Sequence, residues 1–80
     1  DIMSICQKVK DLYQQENVKY TVAAEKLKTD NVSVGKYLYR GPMNLKRLVL
    51  LADVLGYKLV LENKDGISII INPDDVGREW

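Results

Sequence analysis

The sequence predicts a mainly α domain: four short helices followed by a C-terminal β-hairpin. Three observations predict it. Apolar residues recur at steps of three and four from residue 2 to residue 55, the period of helices with one buried face. Polar breaks at Asn17, at KTDN (28–31) and at RGP (40–42) cut that pattern into four short pieces. From Tyr57 the period becomes two, interrupted by KDG at 64–66, a turn signal between two strands.

The first helix, about 2–16, has its stripe at Ile2, Ile5, Cys6, Val9, Leu12 and Tyr13, with Asn17 as the left-handed stop. Thr21 is expected to cap a second helix over 22–28, in which Val22, Ala23, Ala24 and Leu27 form a small face. Ala24 offers only a methyl, so another helix can approach closely. Thr29 or Asp30 caps the third helix, about 31–39, with Val34, Tyr37 and Leu38 turned inward. Gly35 inside it costs up to about 1 kcal/mol in helix propensity.

Asn44 caps the fourth helix, about 45–55, and Gly56 stands where a helix-ending glycine belongs. Its expected core stripe is Leu45, Leu48, Val49, Ala52 and Leu55. Leu50, Leu51 and Val54 widen the stripe beyond the needs of one core, so the helix is either deeply buried or shared with a partner. In the hairpin, about 57–72, Tyr57, Leu59 and Leu61 share one side, and Ile67, Ile69 and Ile71 share one face. A lone hairpin is marginal in water, so it must pack on the helices or cross a subunit boundary. Pro73 ends its second strand, and residues 73–80 read as a loose tail.

Eighty residues make one domain, 46% hydrophobic and 29% charged, a globular balance. No apolar run approaches the roughly 20 residues of a membrane span. The start lacks the features of a signal peptide, and an initial Asp suggests that the native N-terminus lies upstream. One cysteine and no histidine exclude an internal disulfide and Cys/His zinc sites. Cys6 reads as a buried free thiol, in keeping with a cytoplasmic location. Asp74 and Asp75 read as solvated acids, too few for calcium. Without histidine, a glycine-rich phosphate loop or a serine elbow, no enzyme, cofactor or metal is expected.

The net charge of +1 hides a division. Residues 19–47 hold seven cations against Glu25 and Asp30, net +5, while residues 48–80 sum to −3. A basic middle segment points to a polyanionic partner.

Two short helices joined by a tight turn and propped by flanking helices form a helix-turn-helix, which presents its second helix to the DNA major groove. Residues 20–38 fit that motif without insertion. Ala24 falls on its small residue, Leu27 on the apolar residue before the turn, and Val34 and Tyr37 on the apolar positions of the recognition helix. The segment LVLLADVLGYKLVLEN resembles the last helix and following strand of the Cro/repressor (XRE-like) family of bacteria and phages. The resemblance covers about residues 5–62 and implies a lambda-repressor-like fold. Three positions depart from the family pattern: Lys28 stands where glycine is usual in the turn, Tyr20 where glutamine opens the first motif helix, and Gly35 inside the recognition helix.

The resemblance implies a sequence-specific regulator, a repressor, that binds palindromic double-stranded DNA as a homodimer. Asn31, Val32, Gly35 and Lys36 are then the base readers: Asn31 suits an adenine edge, Val32 a thymine methyl, Lys36 a guanine or phosphate. Gly35 would let the helix approach the groove or would only accommodate packing. Thr21, Lys28, Ser33, Tyr39, Arg40, Lys46 and Arg47 would meet the sugar-phosphate backbone, with Thr21 or Lys19 replacing the missing glutamine. Asp30 is read as a cap rather than a cytosine contact. Leu50, Val54, Ile69 and Ile71 are the expected dimer contact, by strand-edge pairing across a two-fold axis. The alternative is a protein-binding adaptor on the same scaffold, an antitoxin or a phage-encoded inhibitor, that meets its partner through the hairpin.

Overall fold

The computed structural model describes residues 4–76. Its order is α1 (Ile5–Glu16), α2 (Tyr20–Leu27), α3 (Asn31–Tyr39), α4 (Leu45–Val54), β1 (Leu59–Glu62), β2 (Ser68–Ile71) and α5 (Pro73–Val76). The protein is mainly helical with a C-terminal antiparallel hairpin. Ile2, read as the start of the first stripe, lies outside the described residues.

Local chemistry fixes most helix ends. The Ser4 hydroxyl accepts the Gln7 amide and starts α1. Asn17 ends it in the left-handed region, at φ 57° and ψ 43°. The Asp30 carboxylate accepts the Ser33 amide at 2.8 Å, and the Asn44 amide oxygen accepts the Arg47 amide at 2.9 Å. That bond to the Ser33 amide holds the Asp30 carboxyl below its usual range. Thr21 is not a cap: α2 begins two residues earlier than expected, at Tyr20, with Lys19 at the cap position and no side-chain cap bond.

Lys28 adopts φ 57° and ψ 48°, the left-handed shape that the turn demands. The Thr29 amide then reaches back to the Ala24 carbonyl at 2.9 Å and closes the end of α2. A lysine thus occupies a glycine's backbone shape, and the tight α2–α3 turn forms despite it.

The core cluster joins Val9 and Tyr13 of α1, Ala23 and Ala24 of α2, Val34 and Leu38 of α3, and Leu51 of α4. Leu51 is fully buried, and its carbonyl accepts the Tyr13 hydroxyl at 2.7 Å. Burial pushes the Tyr13 phenol above its ordinary pKa, and nearby Tyr20 adds to the rise. The stripe assigned to the fourth helix therefore needs correction: Leu51 is central, whereas Leu45 is exposed. Val49 is buried apart from this cluster, beside Leu59, Ile71 and Pro73 at the hairpin base. The breadth of the apolar face of α4 follows. One side closes the helical core and another seats the chain's C-terminal elements.

β1 and β2 pair Leu59 with Ile71, Val60 with Ile70, Leu61 with Ile69, and Glu62 with Ser68. The turn is held by the Asn63 side chain, which accepts the Asp65 and Ile67 amides. Gly66 supplies the positive φ of 85° there. Only Leu59 and Ile71, at the base, are half-buried; the rest of the hairpin stands in solvent. Residues 73–76 are not a loose tail. Pro73 opens a helical turn whose Val76 is buried, and the Asp75 carboxylate accepts the Asn72 amide at 2.8 Å.

Candidate nucleic-acid interface

α3 lies across α2 with Val34 and Leu38 buried, so residues four apart on its far side form an outer ridge. Val32 and Lys36 are that ridge, Arg40 follows at the cap just past its end, and all three are exposed; Val32 retains 66% of its surface. Asn31, in the first turn, is exposed and lines one shallow groove together with Lys19, Tyr20 and Thr21 from the start of α2. The first turns of the two helices thus open onto the same surface.

Gly35, expected among the base readers, is half-buried and stands beside Tyr20 at the margin of that surface. A Cβ built there would lie 3.8 Å from the Tyr20 ring. The Tyr20 ring also meets Tyr13 edge-on, with centroids 6.0 Å apart. Two departures from the repressor pattern, Tyr20 and Gly35, are therefore neighbours: a large ring on α2 lies against the bare position of α3. The gap is ordinary van der Waals contact for a methyl. Gly35→Ala is accordingly expected to raise stability by about 0.5–1 kcal/mol, read as a higher urea midpoint with unchanged slope. A loss of stability would show that the ring needs that space empty.

The residues expected at the DNA backbone divide. Thr21, Lys28, Tyr39 and Arg40 are exposed. Ser33 is half-buried with its amide held by Asp30. Lys46 and Arg47, at the start of α4, line a hollow with Leu27, Tyr37, Asn44 and Leu50. Arg47 is already engaged. Its guanidinium stacks 3.8 Å from the Tyr37 ring centre and donates to the Pro42 carbonyl at 2.8 Å. It ties α3, the following loop and α4 together, a role no sequence pattern announces because its partners lie ten and five residues away. Lys10 of α1 belongs to no motif in the sequence, yet its ammonium sits 6.0 Å over the Tyr39 ring and adds a cation beside α3.

Among the described residues one ion pair forms, Lys26 with Asp53 at 3.4 Å. Lys28, Lys36 and Arg40 therefore keep their charge without a carboxylate partner in the described structure. The four expected dimer residues lie on two elements, Leu50 and Val54 on α4 and Ile69 and Ile71 on β2. Leu50, Val54, Ile71 and Ile69 line four different hollows, the last with Leu61 and Ile67 on the hairpin.

The fold and this surface define a small helical protein that holds an exposed, cation-bearing helix on a helix–turn–helix frame. No protein-family model, curated protein or solved structure matches the chain. Among the described residues no helix is long and apolar enough to cross a membrane.

Proposed function

We propose that this chain is a sequence-specific DNA-binding regulator, a repressor related to the Cro/repressor family, acting in the cytoplasm as a homodimer on palindromic duplex DNA. One observation carries the reading. The outward ridge of α3 and the cap just past its end combine an exposed methyl-bearing residue, Val32, with Lys36 and Arg40, and no carboxylate of the described structure pairs with either cation. A helix propped on two others and bare on its far side matches the shape of the major groove. Cations at the turn and along the ridge, without a carboxylate partner among the described residues, supply the salt-sensitive attraction to phosphate.

Asn31 and Val32 then meet base edges, and Lys36 reaches a guanine or a phosphate. Thr21, Lys28, Tyr39, Arg40 and Lys46 flank them along the sugar-phosphate backbone. Arg47 contributes through the tether it makes to Tyr37.

Selection of bound duplexes from a random pool, at stated salt, tests this. The expected result is an enriched palindrome whose half-sites are centred about 34 Å apart, one DNA turn. Binding should also weaken steeply with added salt. Absence of enrichment, with salt-insensitive binding, would overturn the proposal.

A further inference from the structure

We propose that the free edge of β1 pairs with the same edge of a second copy of this chain, antiparallel across a two-fold axis centred on Val60, because the order Lys58-Leu59-Val60-Leu61-Glu62 is complementary to itself. The proposal deepens the homodimer put forward above by naming its contact, and it rests on that part of the reading.

The hairpin leaves Val60, Leu61, Ile67, Ile69 and Ile70 between 42% and 67% exposed, on both faces of a two-stranded sheet. Two strands alone are marginal, and an open, apolar edge templates further pairing. Within β1 no proline or inward charge blunts it.

The hydrogen-bond alternation shows which groups are free. The Asn63 amide donates to the Ile67 carbonyl at 2.9 Å, so that pair is of the bonded kind, and so are the pairs two and four residues further along, Leu61 with Ile69 and Leu59 with Ile71. The backbone groups of Val60 and Glu62, and of Lys58 just before the strand, therefore point away from β2.

With the axis on Val60, those same groups meet their counterparts. Val60 faces Val60 of the partner subunit, and Leu59 faces Leu61 of the partner subunit. Lys58 faces Glu62 of the partner subunit, and the two-fold axis repeats each off-axis pair. Moving the axis to Leu61 instead would set Lys58 against Lys64 of the partner subunit, a like-charge pair. Charge therefore selects the register. Lys58 and Glu62 are both exposed and form no ion pair among the described residues. The result is a four-stranded sheet in which the apolar rows of both hairpins are continuous, a length of sheet that supports itself.

Sedimentation equilibrium on the full chain at low salt, without DNA, tests the contact. The wild-type chain is expected to dimerise. Lys58→Glu or Glu62→Lys each turns two attractive pairs into two repulsive ones and should raise the dissociation constant about tenfold. An equimolar mixture of the two variants should form the heterodimer in preference to either homodimer, since all four charges then meet opposites. The double variant Lys58→Glu/Glu62→Lys should regain wild-type association. Both positions are exposed, so circular dichroism should show all variants folded. A dimer indifferent to every one of these changes overturns the edge pairing and leaves the homodimer standing on another surface. A wild-type chain that stays monomeric at millimolar concentration overturns both the edge pairing and the homodimer.

Discussion

Leu51→Ala is expected to lower the unfolding free energy by about 3–5 kcal/mol, since Leu51 is fully buried at the junction of α1, α2, α3 and α4. An 80-residue domain holds roughly 4–12 kcal/mol in total, so this change leaves the fold marginal or lost. Leu45→Ala provides the contrast. Leu45 is exposed, and its truncation should cost under about 1 kcal/mol. Urea melts of the two variants decide it, and equal losses would sink the packing described here. The same core carries a pH signature. The folded protein keeps the Tyr13 proton that an unfolded tyrosine releases near about pH 10. Tyr13 is an acid whose folded pKa is raised, so its share of stability is full below that pH and declines as pH rises above it. Tyr13→Phe should flatten the decline while lowering stability by about 1 kcal/mol at neutral pH, through loss of the bond to the Leu51 carbonyl.

What the sequence made legible divides by the range of the physics involved. Asn17, Asp30, Asn44 and Gly56 were readable as helix ends, because a cap depends on residues two to four positions away. The hairpin was readable from its period and its turn. The rotation of α4 was not. LVLLADVL, residues 48–55, is apolar at almost every position, so periodicity could not single out Leu51 as the inward residue. Only the packing of α4 against two sets of neighbours chooses. The short α5 was missed because four residues carry no period, and the burial of Val76 depends on α4 being there first.

The candidate surface was legible where exposure follows from helical spacing, as at Val32, Lys36 and Arg40. It was not legible where a side chain's partner comes from another helix. Gly35 looked outward from its neighbours in sequence, yet it is half-buried with the Tyr20 ring beside it. Arg47 looked like a free cation, yet Tyr37 and Pro42 hold it.

That difference between Arg40 and Arg47 sets the sharpest test of the DNA surface. If Asn31 reads a base edge as proposed, Asn31→Ala should lower discrimination at that position by about 1–3 kcal/mol while binding to unrelated duplexes stays the same. Arg40→Ala should weaken binding to every sequence alike and reduce the slope of log affinity against log salt by about 1, because one phosphate contact is lost. Arg47→Ala should do something different. It removes the stack on Tyr37 and the bond to Pro42, so it should lower thermal stability and affinity together, and loosen base discrimination as α3 loses its tie to α4. Arg47→Lys keeps the charge but not the planar stack and should behave like the alanine variant. Fluorescence anisotropy across a salt series, with melting curves on the same samples, separates the three. If Arg40→Ala leaves the salt slope unchanged and Asn31→Ala leaves base preference unchanged, the ridge of α3 is not the face that meets DNA.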